Sequence, residues 1–350
     1  MAYTTIDNPE LFFQTVLYTG NGSDNRDITL PGDEDMQPDL VWLKSRSTNN
    51  YNHFWTDSVR GVTKYIKSDA TSAENTLSGS VKAFNSDGFR VGTEADVNNN
   101  TTTYVAWNWK AGTSFSNDAS ATSVGVTDSS GSINTTAGFS IITYTGNDTV
   151  NNQIAHGLGV KPDWIIFKQT SSTGRWHSYH SVLGATKHMR LDATDAEDTA
   201  TSFMNNTEPT SSVINLGTSG HVNDGTIIAY CFAEVKGYSK FGSFTGNANT
   251  DGPFVYTGFR PAWVLIKNSS ANGENWNLFD NKRNGFNGSG EALRPNTNEA
   301  EYDRNVDFLA NGFKVRDSSG EVSGNGNTLI YMAFAESPFV NSNGIPTNAK

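Results

Sequence analysis

Three stretches of this chain carry the same four landmarks in the same order, and this internal repetition restricts the possible folds more than any other feature. The first landmark is an aromatic strand that ends in Thr-Gly-Asn, where the Gly-Asn pair is typical of a turn. Its three occurrences are residues 18–21, 144–147 and 244–247. The second landmark is a Pro that opens an apolar strand containing a Trp and closed by a Lys, at residues 38–44, 162–168 and 261–267.

The other two landmarks complete each copy. The third is a second Trp, found 12 or 13 residues after the first, at Trp55, Trp176 and Trp276. The fourth is a closing strand, at residues 103–107, 228–232 and 330–334. Its final aromatic residue falls 65, 68 and 71 residues after the first Trp, so the copies differ by small loop insertions.

Each copy of about 100 residues holds six or seven short strands, and a turn at Asn8-Pro9-Glu10 is the main helical signal. We therefore predict an all-β chain of three tandem β-sandwich, jelly-roll-like repeats with little helix. The predicted boundaries are an N-terminal segment 1–12, repeat 1 at 13–112, a linker at 113–137, repeat 2 at 138–236, repeat 3 at 237–340 and a tail at 341–350.

The junctions between the copies differ. Residues 113–137 are rich in Ser, Thr, Asp and Gly, which is typical of a flexible linker or an extended crossover. Residues 234–241 run directly from one closing strand into the next opening strand, so copies two and three should move as one body. The continuously apolar stretches 164–167 and 227–232 indicate strands covered on both faces, by a neighbouring repeat or another subunit. We therefore predict self-association.

Composition excludes several classes of partner. The formal net charge is −11 and no run of Lys and Arg could neutralise a row of phosphates, so nucleic acid is not a predicted partner. A single cysteine, Cys231, excludes an internal disulfide framework. The N-terminus has no basic region followed by an apolar run, and no stretch reaches the ~18 apolar residues of a membrane span. We expect neither export by a signal peptide nor membrane insertion.

The sequence offers little catalytic or metal-binding chemistry. Five of the six histidines lie in the second copy, but on a strand His177 and His180 would point to opposite faces. The acidic clusters at 33–35 and 192–198 could supply calcium ligands or a glycosidase carboxylate pair, and they also fit solvated turns. Neither cluster has a counterpart in the other copies. We predict no metal site, no cofactor and no enzymatic activity, with a polysaccharide depolymerase using Asp192, Asp195 or Glu197 as the enzymatic alternative.

Comparison of the copies also sorts single residues into core and surface. Aligned on the closing strands, Cys231 corresponds to Ala106 and Ala333, which indicates a small buried position. Tryptophans inside apolar strands, such as Trp42, indicate core. Trp109 has Glu234 and Glu336 at its matching positions, so we predict it to be the most exposed Trp.

These residues give the chain a resemblance to a known family. Residues 18–23, 231–242, 252–261 and 333–336 make it resemble a repeat domain of unknown function that is common in virion and tail-fibre-like proteins of tailed phages, notably marine and cyanobacterial ones. The resemblance covers about residues 12–340; the first copy departs from it because it ends Ala106-Trp107-Asn108-Trp109 without Phe-Ala-Glu. The resemblance implies a virion location, and the family defines no catalytic or binding residues to carry over.

We therefore expect a virion structural protein, a tail fibre or appendage that contributes to host attachment. The alternative is a capsid decoration or head-fibre protein without a host-binding role. Expected partners are other virion proteins, further copies of the chain, and a host-surface glycan or protein. The resemblance to fibre proteins implies that the copies form a trimer. Because loops on a β scaffold commonly carry binding residues, the predicted contacts lie in copies two and three. They are His156, Trp176, His177, Tyr179, His180, Asn275 and Trp276.

Overall fold

Antiparallel strands make up most of the regular structure, as the sequence predicts. The computed structural model describes residues 3–283, 287 and 290–347. Its helices are single turns, among them a 3-10 turn at Pro9–Leu11 where a turn was predicted. The all-β fold class is confirmed.

Segment 1 (residues 13–112) contains nine strands and one short helix. A six-stranded sheet has the order β1-β9-β3-β4-β5-β6, and a small sheet has the order β2-β8-β7. The elements are β1 (Phe13–Thr19), β2 (Arg26–Thr29), β3 (Leu40–Ser45), β4 (Phe54–Asp57), β5 (Lys64–Lys67), β6 (Asn75–Thr76), β7 (Val81–Asn85), β8 (Gly88–Val91), α1 (Ala95–Asn98) and β9 (Thr103–Trp109).

Segment 2 (residues 113–236) forms the largest sheet, of eight strands in the order β10-β11-β12-β19-β14-β15-β16-β17, beside the pair β13-β18. The elements are β10 (Thr113–Asn117), α2 (Ala119–Thr122), β11 (Ser129–Asn134), β12 (Phe139–Asn147), β13 (Asn152–Ala155), β14 (Trp164–Gln169), β15 (His177–His180), β16 (Lys187–Arg190), β17 (Asp198–Thr199), α3 (Thr201–Met204), β18 (Val213–Leu216), α4 (Gly220–Asn223) and β19 (Asp224–Phe232).

Segment 3 (residues 237–340) has a four-stranded sheet, β20-β28-β22-β23, a three-stranded sheet, β21-β27-β26, and the pair β24-β25. The elements are β20 (Ser239–Thr245), β21 (Phe254–Tyr256), β22 (Phe259–Asn268), β23 (Asn277–Asp280), β24 (Glu291–Ala292), β25 (Tyr302–Asp303), β26 (Val306–Leu309), β27 (Gly312–Val315), α5 (Gly320–Ser323) and β28 (Thr328–Pro338).

One strand order occurs in all three large sheets. In each sheet the closing strand lies between the opening strand and the Pro-initiated strand. The strand that follows the Pro-initiated strand in sequence pairs with its other edge. The three orders are β1-β9-β3-β4, β12-β19-β14-β15 and β20-β28-β22-β23. Apolar residues of each large sheet pack with those of the small sheet in the same segment to form a core of that segment's own. The chain thus has a sandwich architecture, while the descent of its segments from one repeated unit stays a prediction.

The predicted linker is part of a sheet. Residues 113–117 and 129–134 form β10 and β11, and β11 pairs along its length with β12 of the large sheet in segment 2. The flexible-linker interpretation is therefore wrong. Its Ser- and Thr-rich sequence fits a sheet edge with a solvated face, because these side chains tolerate solvent and Thr is enriched in strands.

The continuously apolar strands are covered on both faces within one chain. In β19, Ile228, Tyr230 and Phe232 face a central cluster shared by all three segments, whereas Ala229 and Cys231 face the core of segment 2. This alternation follows from the period of two along a strand. Neighbouring segments provide the second cover, so the burial that led to the prediction of self-association needs no other subunit.

The central cluster contains all eight tryptophans of the chain. Rings from different segments touch: the centroids of Trp55 and Trp176 are 5.1 Å apart, and those of Trp164 and Trp276 are 6.0 Å apart. Burial of rings of this size gives each segment a large apolar contact with the other two. Segment 1 is therefore packed into the same body as segments 2 and 3, beyond the two-segment body predicted from the junctions.

Trp109 is buried, which corrects its predicted exposure. Strand registers place Trp109 opposite Leu40, Phe232 opposite Trp164, and Phe334 opposite Trp263. The structural counterparts of Trp109 are therefore Phe232 and Phe334, not the glutamates two residues further on. Its side chain is 2% exposed and packs 4.8 Å from the Phe13 ring and 5.5 Å from Trp263.

The same shift of two residues changes the counterparts of Cys231. In the strand registers they are Asn108 and Ala333. The thiol is fully buried, as the core interpretation requires, and burial raises its pKa to about 12. A thiol held protonated in this way is a poor nucleophile.

Buried lysines connect the segments in a closed ring. The lysine near the end of each Pro-initiated strand has its Nζ 3.4–3.5 Å from a backbone carbonyl of another segment. Segment 1 reaches segment 3, segment 2 reaches segment 1, and segment 3 reaches segment 2. The pairs are Lys44 with Asn298 O, Lys168 with Thr71 O, and Lys267 with Thr194 O.

Backbone hydrogen bonds form a second set of contacts that link the three segments in a ring. A glutamate amide of each segment donates to a carbonyl just beyond the buried lysine of another segment, at 2.8–2.9 Å. The pairs are Glu74 N with Thr170 O, Glu197 N with Ser269 O, and Glu301 N with Arg46 O. Every segment therefore contacts both of the others through the same kind of hydrogen bond.

Candidate functional site

The predicted binding residues do not form a surface. His156, Trp176, Tyr179, His180 and Trp276 are 0% exposed. His177 is 4% exposed, and Asn275 is half-buried and donates to Glu321 Oε1 at 2.7 Å. These side chains are held inside the chain, so a ligand outside the protein cannot contact most of them. The prediction that these residues bind a ligand is therefore wrong. It relied on sequence variation between the copies, and such variation also occurs where the segments contact one another in the interior.

Trp176 and Trp276 seal two of those junctions. Trp176 Nε1 donates to Lys67 O of segment 1 at 2.8 Å, and Trp276 Nε1 donates to Arg190 O of segment 2 at 2.9 Å. A buried indole N–H that lacked an acceptor would be costly, and here it finds one in the adjoining segment. These residues are structural.

Three predicted residues of segment 2 are satisfied by internal partners. His156 Nε2 lies 3.2 Å from Thr210 O, and His180 Nε2 lies 3.4 Å from Tyr331 O. Burial lowers the pKa of both imidazoles to about 4. Tyr179 donates its hydroxyl to Glu208 at 2.5 Å.

His177 belongs to a stack of three imidazoles beneath α4. Its ring centroid lies 4.6 Å from that of His188 and 4.8 Å from that of His221, with Phe203 packed against it at 5.8 Å. Burial lowers the pKa of all three histidines, most strongly that of His177. The cluster is therefore neutral at pH 7.

The surroundings of the imidazole stack are mainly cationic. Arg190 disfavours protonation of all three rings, Arg175 and Lys168 act on His221, and Asp198 is the acidic side chain that favours protonation of His188. Nδ1 of His177 and both ring nitrogens of His188 have no hydrogen-bond partner among the described residues. Added positive charge would therefore be poorly compensated here.

The corresponding space in segment 3 holds a buried carboxylate. Glu321 on α5 accepts hydrogen bonds from Asn275 at 2.7 Å and Arg294 at 2.8 Å, and Arg304 Nη2 approaches at 3.3 Å. Burial alone would raise the pKa of Glu321, but the Asn275 bond and the two guanidinium groups lower it below its usual value. Glu321 is therefore ionised and locked in place.

Neither acidic cluster forms a metal site in the described part of the chain. In the second cluster, Asp195 and Asp198 pair with Arg190 at 2.8 and 2.9 Å, and Glu197 pairs with Lys187. These pairs leave the carboxylates committed to neighbouring cations. Residues 3–283, 287 and 290–347 contain no group of three His, Cys, Asp or Glu side chains arranged to hold a metal ion.

Among the described residues, the exposed aromatic side chains lie on the outer face of the small sheet in segment 3. Phe254 and Tyr256 of β21 are 46% and 54% exposed, while Val255 between them points into the core. Strand pairing places Lys314 and Gly312 of β27 beside these two rings. We call Phe254, Tyr256, Gly312 and Lys314 the aromatic face.

The matching positions in the other segments are polar and satisfied. In segment 1, Asp27 sits opposite Arg90 and forms an ion pair at 2.8 Å. In segment 2, Gln153 sits opposite Asn215 and donates to it at 2.7 Å. The same outward position that carries a closed polar pair in two segments carries an exposed ring, Phe254, in the third.

Sequence reasoning missed this face although a signal was present. The run Phe254-Val255-Tyr256 alternates as expected for a strand with one buried face, which places both rings on the side away from Val255. Because aromatic residues fill the core elsewhere in the chain, the run offered no sign that this side stays uncovered.

Comparisons with known proteins give one match. A model of a domain of unknown function matches residues 8–338 of the chain. No curated protein and no solved structure matches it. Within the described residues, none of the helices has the length and apolar character needed to cross a membrane.

Proposed function

We propose that this chain, which belongs to the DUF7483 family of domains of unknown function, is a structural component of a tailed-phage virion. Within the particle it would form part of a tail fibre or appendage and contribute to host attachment. The virion location follows from the resemblance of the repeated motifs, in particular residues 231–242 and 252–261, to phage virion proteins.

The observation that carries the attachment role is the contrast between interior and outer face. The tryptophans and most of the histidines are buried and pack between or within segments. By contrast, the side chains of Phe254 and Tyr256, on a strand of segment 3, are about half exposed to solvent. Exposed aromatic side chains on a rigid scaffold are typical of binding surfaces. The chain would thus act as a scaffold that presents one face.

The proposal includes descent of the three segments from one repeated unit. The shared strand order and the recurring lysine and glutamate contacts support it. A closed ring of three units in one chain resembles a trimer made of one polypeptide. Association with other virion proteins is then expected, while a trimer of chains is not required to cover apolar strands.

Labelling of intact particles tests the proposed location. Gold-labelled antibody raised against the purified chain should bind the tail or its fibres in electron micrographs. Label confined to the head would overturn the attachment role and support capsid decoration. Light scattering at micromolar concentration is a separate check, because a stable trimer would show that a surface other than the apolar strands associates.

A further inference from the structure

We propose that the aromatic face binds a neutral glycan, with pyranose rings stacking on Phe254 and Tyr256. This inference deepens the attachment role proposed above and rests on it for its biological setting. The binding itself is a property of the purified chain and can be measured alone.

The spacing of the two rings suits a chain of sugars. Residues two apart on a strand point to the same side and lie about 6–7 Å apart. A pyranose presents a patch of C–H groups that packs on an aromatic ring, whose face is electron-rich. Successive sugars of one oligosaccharide can therefore reach both Phe254 and Tyr256.

The Phe254 ring is supported on one side by the backbone of the neighbouring strand. Gly312 has no side chain, and a Cβ added there would lie 3.1 Å from Phe254 Cε2 and 2.1 Å from Val255 O. The Phe254 ring thus leans over bare backbone. Tyr256 is held at its hydroxyl, which lies 3.1 Å from the hydroxyl of Tyr3. This contact restricts the Tyr256 ring before a ligand arrives, which lowers the entropic cost of binding.

The charges at the rim favour an uncharged ligand. Lys314 Nζ pairs with Asp251 at 2.7 Å, and Arg316 Nε pairs with Asp307 at 2.6 Å. Lys314 and Arg316, the cations at the end of the strand next to Phe254, therefore each have a carboxylate, and the nearby Lys236 lies over the Tyr3 ring at 4.4 Å. The rim offers hydrogen-bond donors and acceptors to sugar hydroxyls without a surplus of either charge, so neither an anionic nor a cationic polymer gains a strong electrostatic advantage.

The area of the face argues against a second protein as the occupant. A stable protein interface covers about 800 Å² on each partner. The aromatic face offers two rings, each about half exposed, which is a small fraction of that area. A ligand the width of a sugar chain is matched to it.

Calorimetric titration of the full chain tests the proposal. The probes are cellohexaose, chitohexaose, maltohexaose and mannohexaose, each used up to millimolar concentration. At least one should bind, and the double variant F254A/Y256A should weaken that binding by at least about tenfold for each ring lost. The matched control is D27A/T29A, at the corresponding outward positions of segment 1, which should bind like the wild type.

Each other outcome counts against the inference. Absence of binding by all four probes, or equal binding by F254A/Y256A, would overturn it. Because both substituted side chains are exposed, an unchanged melting temperature of the variant shows that a loss of binding is local. Tighter binding of an oligogalacturonate than of every neutral probe would overturn the neutral class. Dimers in light scattering that F254A/Y256A abolishes would identify a second copy as the occupant.

The inference and the proposed function can fail separately. Glycan binding by a chain that antibody locates on the head leaves the inference standing and removes the attachment role. A chain located on the tail that binds none of the probes leaves the virion role standing and removes the inference.

Discussion

Segments 2 and 3 differ in the polar side chains that fill the corresponding space beside α4 and α5. In segment 2 the space contains His177, His188 and His221, and in segment 3 the counterparts are Asn277, Ala292 and Glu321. The first is a set of neutral bases surrounded mainly by cations, and the second is an anion held by two guanidinium groups. The comparison shows that the same space can hold either neutral imidazoles or a paired carboxylate, and that each set should lose stability under a different change.

The largest expected effect comes from removing the carboxylate charge in segment 3. Glu321→Gln removes the buried anion that Arg294 and Arg304 share, and leaves each of them with one other carboxylate. Loss of one partner of a fully buried ion pair costs about 3–5 kcal/mol, and the remaining pairs place this loss at the lower end of that range. Urea unfolding should show this loss in the free energy of unfolding. Glu299→Gln removes the exposed partner of Arg294 and should cost less than about 1 kcal/mol. Equal costs for the two variants would mean that the buried anion has no special role.

The pH dependence of the free energy of unfolding distinguishes the histidine cluster of segment 2 from the buried carboxylate of segment 3. The folded-state pKa of the three histidines lies below the unfolded value near 6.5, so the unfolded chain binds more protons as the pH falls. Between pH 6.5 and 4.5 the free energy of unfolding should drop by up to about 2 kcal/mol for each imidazole that the folded chain keeps neutral. His53, His156 and His180, whose pKa values burial also lowers, add to this loss, and Asp69, whose pKa burial raises to about 6, opposes it.

A variant isolates the imidazole stack from those other groups. His188→Tyr introduces the residue found at the matching position of segment 1, Tyr65, which stacks on Phe54 at 4.2 Å. It should reduce the acid loss measured by urea unfolding by about one third of the share due to the stack. An unchanged acid slope would place the acid sensitivity elsewhere. Glu321 does not interfere, because its lowered pKa makes its stabilising effect disappear only below about pH 4.5.

The smallest effect concerns a position where the segments agree. Burial lowers the pKa of Lys44, Lys168 and Lys267 to about 8, below the unfolded value near 10.4. The folded chain therefore binds fewer protons than the unfolded chain above pH 8. Each of the three lysines should raise the free energy of unfolding by about 2 kcal/mol from pH 7.5 to 9.5, as measured by urea unfolding. Cys231 offsets part of this rise, because burial raises the pKa of its thiol to about 12 and only the unfolded chain loses that proton in this range.

Single lysine variants show whether this rise is shared. Lys168→Met should remove about one third of the lysine contribution to this rise, and the surface control Lys240→Met should leave the rise unchanged. A rise that persists in full after Lys168→Met would contradict equal contributions from the three segments.

The all-β class could be predicted from the sequence, but the alignment of the copies was partly wrong. The distance from the opening Pro to the closing Lys is six residues in every copy. That spacing makes Leu40 the counterpart of Trp164 and Trp263, as the strand registers do. Alignment on the Trp itself moved segment 1 by two residues, and this error produced the predicted exposure of Trp109.

The binding residues were beyond the sequence for a different reason. Trp176 and Trp276 are buried because one segment closes on another, and contacts between distant parts of the chain leave no local periodicity to read. The aromatic face had a local signal in the alternation around Val255, but whether another segment covers that side is again decided by tertiary packing. Local sequence patterns were sufficient to identify strands and the two faces of each strand. Which of those faces remain exposed to solvent is determined by how the segments pack together.

Differential scanning calorimetry tests the central claim, that three segments share one interior closed as a ring. The claim predicts a single transition whose calorimetric enthalpy equals its van't Hoff enthalpy, because the tryptophan cluster cannot be opened in one segment alone. Separate transitions, with the calorimetric enthalpy well above the van't Hoff value and segment 1 melting independently, would contradict it.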